Sequence, residues 1–278
     1  MNKSDTRTTV DREELRRMLS TGQPVTVLDV RNDADRAEWS IPGSTHVDAY
    51  AALKTGDTTP LDNLDLPKDR PVVTICGAGK TSKLAAERLR ERGYDAHSLA
   101  GGMRAWSLAW NTAEVPVPDS PTTVLQVRRT GKGCLSYLIG SEGEAVVVDA
   151  ALDPEVFISL AEERGWRIAH VLDTHIHADH LSRSRALAAR TGATLHLPRQ
   201  GRIAFPFESL EDGDAITVGR ATLSTLATPG HTMESMAYLL DGTALLTGDT
   251  LFLSAVGRPD LEASADEFRT KAHLLYRS

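Results

Sequence analysis

The sequence is short of several things, and each shortage excludes a class of protein. It holds two cysteines, Cys76 and Cys134. That is too few for a disulfide framework, so a reducing, cytoplasmic setting is expected. Basic residues are in deficit: 31 Lys and Arg against 38 Asp and Glu give a formal net charge of −7. Proteins that bind polyanions usually carry a basic stripe, and none is visible, which argues against nucleic acid as a partner. Long apolar runs are missing too. The opening stretch, Met1–Arg17, is polar, and no run approaches the length of a membrane span, so neither a signal peptide nor a transmembrane helix is expected. There is no internal repeat and no low-complexity tract. What remains is an ordinary globular composition, 41% hydrophobic and 25% charged, over 278 residues. That length suits about two domains.

The clearest boundary is the proline-rich stretch 113–122, read as a linker between a domain at 1–112 and another at 123–278. Up to residue 118 there are 16 basic and 17 acidic residues; from Asp119 onward there are 15 and 21, so the acidic excess lies in the second half. In the first half, Asp11 followed by Glu14 marks a helix start. The β-branched runs 24–30 and 71–76 suit buried parallel strands, and the stretch 82–93 is helical with Gly93 as its stop. This alternation predicts an α/β domain with a parallel sheet. The second half opens with an antiparallel hairpin, 134–140 and 144–150, then mixes helices with further strands. Two sheets with helices outside are expected.

Two constellations carry chemistry. Cys76 ends a strand and precedes the glycine-rich loop Gly77, Ala78, Gly79, Lys80 and Thr81 and a helix start. Backbone N–H groups curled toward the sulfur and a helix N-terminus both favour a thiolate, which makes Cys76 a candidate nucleophile. A nucleotide-binding P-loop would need glycine where Thr74 stands, so that reading fails. The second constellation is His175, His177, Asp179 and His180, four ligand-type residues in one short run read as a strand end and the start of the next helix. His231, in a turn, and Asp249, read as the end of a strand, complete a set whose imidazoles and carboxylates suit zinc or iron. His273 lies in a helical stretch and is a poor ligand candidate. Cys134 reads as a small buried side chain. His46, His97, His170 and His196 read as surface or satisfied histidines.

Residues 28–31, 38–48, 76–82 and 99–106 together resemble the rhodanese (sulfurtransferase) family. The resemblance implies that Cys76 carries a sulfane sulfur as a persulfide. The loop departs from the family at Thr81, where arginine is common. Residues 123–278 resemble the metallo-β-lactamase fold superfamily, whose ligand order is matched by His175, His177, Asp179, His180, His231 and Asp249. The fold implied is a rhodanese α/β domain followed by an αβ/βα sandwich. Within that superfamily, residues 133–140, 228–235 and 248–261 look like the persulfide dioxygenase branch. That resemblance implies one Fe(II) held by His175, His231 and Asp249, with His177, Asp179 and His180 nearby. The expected reaction is oxidation of glutathione persulfide, or a similar small persulfide, by O2 to sulfite, with thiosulfate as a product of sulfur transfer. Arg258 and Asp260 are the candidate pocket residues. Two alternatives stand beside this. One is a zinc-dependent thioester or lactone hydrolase of the glyoxalase II kind, with one or two zinc ions and an appended rhodanese domain. The other is a non-catalytic sulfur-carrier or redox-sensing module. The oligomeric state is left open. The superfamily domain is typically longer than 123–278, and the helix predicted from Ser264 meets no stop signal, so a sandwich lacking its C-terminal part is expected.

Overall fold

The computed structural model describes residues 8–278 except 119, 121, 179, 261 and 262. Two compact units are present. One runs to Trp110 and includes Thr130–Lys132; the other comprises Asn111–Arg129 and Gly133–Ser278.

The first unit contains β1 (Thr9–Val10), β2 (Thr26–Asp29), β3 (Thr45–His46), β4 (Val72–Ile75) and β5 (Ala96–Leu99). Its helices are α1 (Arg12–Ser20), α2 (Asp33–Glu38), α3 (Tyr50–Lys54), α4 (Thr81–Glu91) and α5 (Gly102–Trp106). The strands form one sheet in the order β1-β5-β4-β2-β3, and every pairing is parallel. All four residues of β4 are buried, as expected of a strand covered on both faces. The Asp11 side chain accepts from the Glu14 N–H and starts α1. Asp29 and Arg31 are both buried and paired bidentately, and the Arg31 guanidinium also donates to the carbonyls of Asp35 and Trp39. A buried pair whose remaining donors are satisfied fixes a chain path, and here it ties the end of β2 to the turn carrying α2.

The second unit contains β6 (Asn111–Val115), β7 (Thr123–Arg129), β8 (Cys134–Ser141), β9 (Glu144–Val148), β10 (Arg167–Leu172), β11 (Thr194–Pro198), β12 (Glu208–Leu210), β13 (Ala215–Val218), β14 (Ala221–Ala227), β15 (Met236–Leu240) and β16 (Ala244–Leu246). Its helices are α6 (Pro154–Glu162), α7 (Ser184–Thr191) and α8 (Ala265–Arg277). A seven-stranded mixed sheet has the order β12-β11-β10-β9-β8-β7-β6, and β13 to β16 form a four-stranded antiparallel sheet. Val146, Val148 and Leu172 of the first sheet and Leu223, Tyr238 and Leu240 of the second join one buried cluster, so the sheets face each other across a shared core. Burying each such side chain contributes about 1.5–3 kcal/mol. The expected hairpin is β8–β9, turned through Glu142 and Gly143 at positive φ.

Three expectations shift here. The stretch 113–122 is not simply a linker, because its first residues belong to β6, paired with β7 from Asn111 to Val115. The helix expected directly after His180 begins only at Ser184. The apolar stripe of α8 is partial: Leu275 is buried, but Phe268 is exposed. Among the described residues no helix is long and apolar enough to cross a membrane.

Candidate functional sites

Cys76 follows β4 and is buried. Its Sγ accepts from the Gly79 N–H at 3.1 Å and lies 3.2 Å from the Ser82 hydroxyl. Burial opposes the thiolate, but the Ser82 hydroxyl and the loop N–H groups outweigh it and hold the thiol below its ordinary range. The loop keeps its N–H groups toward the sulfur because its carbonyls are satisfied elsewhere. Met103 N–H donates to the Cys76 carbonyl at 2.8 Å, and Arg104 N–H to that of Gly77 at 3.1 Å. Gly102, at φ +57°, makes this approach possible, since a Cβ there would lie 2.2 Å from the Cys76 carbonyl oxygen. A cavity of about 490 Å³ opens at Cys76, lined in part by Lys54, Lys80, Thr81 and Arg104. Lys54, Lys80 and Arg104 outnumber the one acid of the lining, Asp35, so the mouth favours an anion.

In the second unit, three loops at one edge of the sandwich bring His175, His231 and Asp249 together. One ligand atom from each lies within 4.8 Å of the others. His175 and His231 stand nearly perpendicular, ring centroids 4.9 Å apart, and His231 Nε2 is 3.6 Å from Asp249 Oδ2. Gly248 lets the Asp249 turn sit against Thr174, where a Cβ would lie 2.6 Å from Oγ1.

Hydrogen bonds decide which imidazole nitrogen faces the cluster. His231 Nδ1–H donates to the Arg258 carbonyl at 3.0 Å. Thr174 Oγ1 donates its one proton to Asp149 Oδ2 at 2.9 Å, so it must accept from His175 Nδ1–H, also at 2.9 Å. Both rings therefore turn Nε2 toward the cluster in the tautomer a metal requires, each oriented through its other nitrogen. Two imidazoles and one carboxylate, set this way, fit a divalent transition metal such as zinc or iron.

The other expected ligands are placed differently. His177 Nε2 bonds Asp149 Oδ1 at 3.0 Å, and His177 joins Asp149 and Asp173 in a second cluster. The His180 ring lies against that of His177, centroids 4.3 Å apart and tilted by 45°, in a loop and not in a helix. Asp179 lies outside the described residues. Asp249 lies in the turn after β16 and does not end the strand. His273 is exposed on α8. Arg258 and Asp260 pair with each other bidentately at the surface, and neither borders the cavity beside His231. That cavity, about 820 Å³, is bordered by Arg199, Arg202, Thr232, Glu234 and Lys271 among others. Cys134 opens β8 and is only half-buried. His170 and His196 satisfy each other across β10 and β11, Nδ1 to Nε2 at 3.0 Å.

Two residues escaped the sequence reading. Asp149 accepts from the Thr174 N–H and hydroxyl and from His177. These partners outweigh its burial and hold it below the usual carboxylate range. Asp173 accepts from Ser182 and Ser184, while burial pushes it up to about 6. Each acid stands just past a buried strand, and that position was the available signal.

Residues 11–109 match the rhodanese-like domain family, and residues 129–276 the metallo-beta-lactamase superfamily. A hydroxyacylglutathione hydrolase from Polaromonas sp. is 41% identical over 129 residues, covering 44% of this chain and 49% of the relative. One from Maricaulis maris is 38% identical over 120 residues, covering 42% and 46%. The chain thus spans about half the length of the curated relatives it matches. Among solved structures, ETHE1 from Myxococcus xanthus aligns with a TM-score of 0.45 and 31% identity over 59% of this chain and 68% of that one. The curated relatives are named as hydrolases, and this overturns the expected dioxygenase and oxidoreductase activity. The fold expectation stands, a rhodanese-like domain followed by a metallo-beta-lactamase fold. With the match at 129–276 spanning more than half of its length, the chain belongs to the metallo-beta-lactamase superfamily.

Proposed function

We propose that the second unit is a zinc-dependent hydrolase of glutathione thioesters, joined to a rhodanese-like unit in which Cys76 carries sulfane sulfur. The observation that carries this reading is the convergence of His175, His231 and Asp249, with both imidazoles held in the ligating tautomer and His231 in the wall of a cavity bordered by Arg199, Arg202 and Lys271 beside Glu234, Asp266 and Glu267. The named activity of the curated relatives supports it. A bound zinc ion supplies a water of lowered pKa and polarises the thioester carbonyl.

The chain's own residues do the rest. Thr174 and the Arg258 carbonyl keep both Nδ1–H groups engaged, so neither ring is free to turn. Arg199, Arg202 and Lys271 border the cavity and complement a carboxylate-bearing thiol, with Arg199 also paired to Glu211 and Arg202 to Glu234. In the reaction the water oxygen bonds to the acyl carbon, the carbon–sulfur bond breaks, and the thiolate leaves and takes up a proton. The test is zinc-loaded full-length protein with a hydroxyacylglutathione, following release of free thiol with a thiol-reactive dye. Turnover is expected, with a loss of about 100-fold or more in His175→Ala. No thiol release from folded, zinc-loaded protein would overturn the proposal.

A further inference from the structure

The loop from Asp173 to Arg183, which ends where α7 begins at Ser184, carries His175, His177 and His180, and no residue described in it is helical or in a strand. A segment like this has many conformations to lose, so its ligands are precise only where both ends are fixed. The first end is fixed by Asp149, through the Thr174 N–H at 2.7 Å and hydroxyl at 2.9 Å. The second end returns to the residue where the loop began. Ser182 Oγ donates to Asp173 Oδ2 at 2.8 Å, and Ser184 Oγ donates to Oδ1. Ser182 Oγ also accepts the Ser184 N–H at 3.1 Å, and Arg183 N–H donates to the Ala150 carbonyl at 2.8 Å. Asp173 is itself fixed, because its carbonyl accepts from the buried Tyr238 hydroxyl at 2.7 Å.

We infer that Asp173, with Ser182 and Ser184, is a clasp that closes the histidine loop on itself and sets the position of His175 for metal binding. Asp173 is a positioning residue in this role and touches neither metal nor substrate. A residue needed only to fill space here would be apolar. A fully buried carboxylate is costly unless its hydrogen bonds do something a packed side chain does not. Both of its oxygens are spent on the far end of one loop, and the near end holds His175 two residues away. The inference rests on the metal site of the proposed function.

The experiment is titration of metal-free, full-length protein with Co2+, following the visible d–d band, alongside thermal unfolding of the metal-free forms. Ser182 is only half-buried, so Ser182→Ala removes one clasp bond with little effect on packing. Asp173→Asn perturbs both. The expected result is a Co2+ dissociation constant raised about 10- to 100-fold in each variant. The Ser182→Ala band should change in shape, a readout that a loss of stability alone would not move. Co2+ binding by both variants within about twofold of wild type would overturn the clasp and leave the metal site standing. Wild-type protein that binds no Co2+ would overturn both.

Discussion

Replacing Gly102 with alanine tests the account of Cys76, because the residue touches neither the sulfur nor the cavity. At φ +57° an L side chain is strained, which costs about 1–2 kcal/mol by itself. The new Cβ would lie 2.2 Å from the Cys76 carbonyl oxygen, 2.6 Å from Gly79 N and 2.9 Å from Ala78 N. All three are backbone atoms, so no rotamer change relieves the clash, and the loop must move away from α5. That movement breaks the 3.1 Å bond from Gly79 N–H to Sγ. A hydrogen bond to a charged partner contributes about 1.5–3 kcal/mol, and about 1.4 kcal/mol corresponds to one pKa unit, so the thiol should rise by about one to two pH units. The assay is the rate of iodoacetamide alkylation against pH in a Cys134→Ser background, read by mass spectrometry. The thiolate is the reacting form, so wild-type protein keeps its rate below the ordinary thiol range, and Gly102→Ala should lose it there and regain it at higher pH. A profile identical to wild type, in a protein with an unchanged urea midpoint, would refute the reasoning.

Two further predictions concern the second unit. Tyr238 is fully buried, and Tyr238→Phe strands the Asp173 carbonyl, so urea unfolding should show a loss of about 1–3 kcal/mol; a midpoint equal to wild type would deny the bond any role. Burial, with His170 beside it, lowers His196 from 6.5 to about 4, so between those values the unfolded chain takes up a proton that the folded chain refuses. This contribution to stability is intact above about pH 6.5 and is lost as pH falls toward 4, by about 1–2 kcal/mol after discounting for the half-exposed ring. His196→Gln should flatten that acid limb in pH-dependent urea melts, and an unchanged slope would count against it.

The candidate ligands were legible because His175, His177, Asp179 and His180 stand close together in sequence and His231 and Asp249 follow them in a distinctive order. Asp149 and Asp173 were not, because they act on the site only through hydrogen bonds that the fold creates. The helix start misled for a related reason. The stretch 181–191 has helical composition, yet the Ser182 hydroxyl accepts the Ser184 N–H, and a local side-chain bond of that kind competes with the helix. Arg258 and Asp260, named on resemblance as pocket residues, pair with each other, and the Arg258 carbonyl accepts from His231. The parallel sheet of the first unit was plain from its β-branched runs. Strand β6 was hidden by the prolines at 116 and 118, which lie just past its end and not within it.

That strand bears on how the chain can be divided. Asn111 to Val115 cap one border of the seven-stranded sheet and occupy the outward N–H and C=O groups of β7, a strand with Val124, Leu125 and Val127 buried. A fragment begun at residue 119 would strip this cover and leave an apolar strand with an open hydrogen-bonding border, the kind of surface that recruits other chains into intermolecular sheet. Cut instead before Asn111, the second unit keeps its own border, and its fragment should stay in solution as the shorter one precipitates.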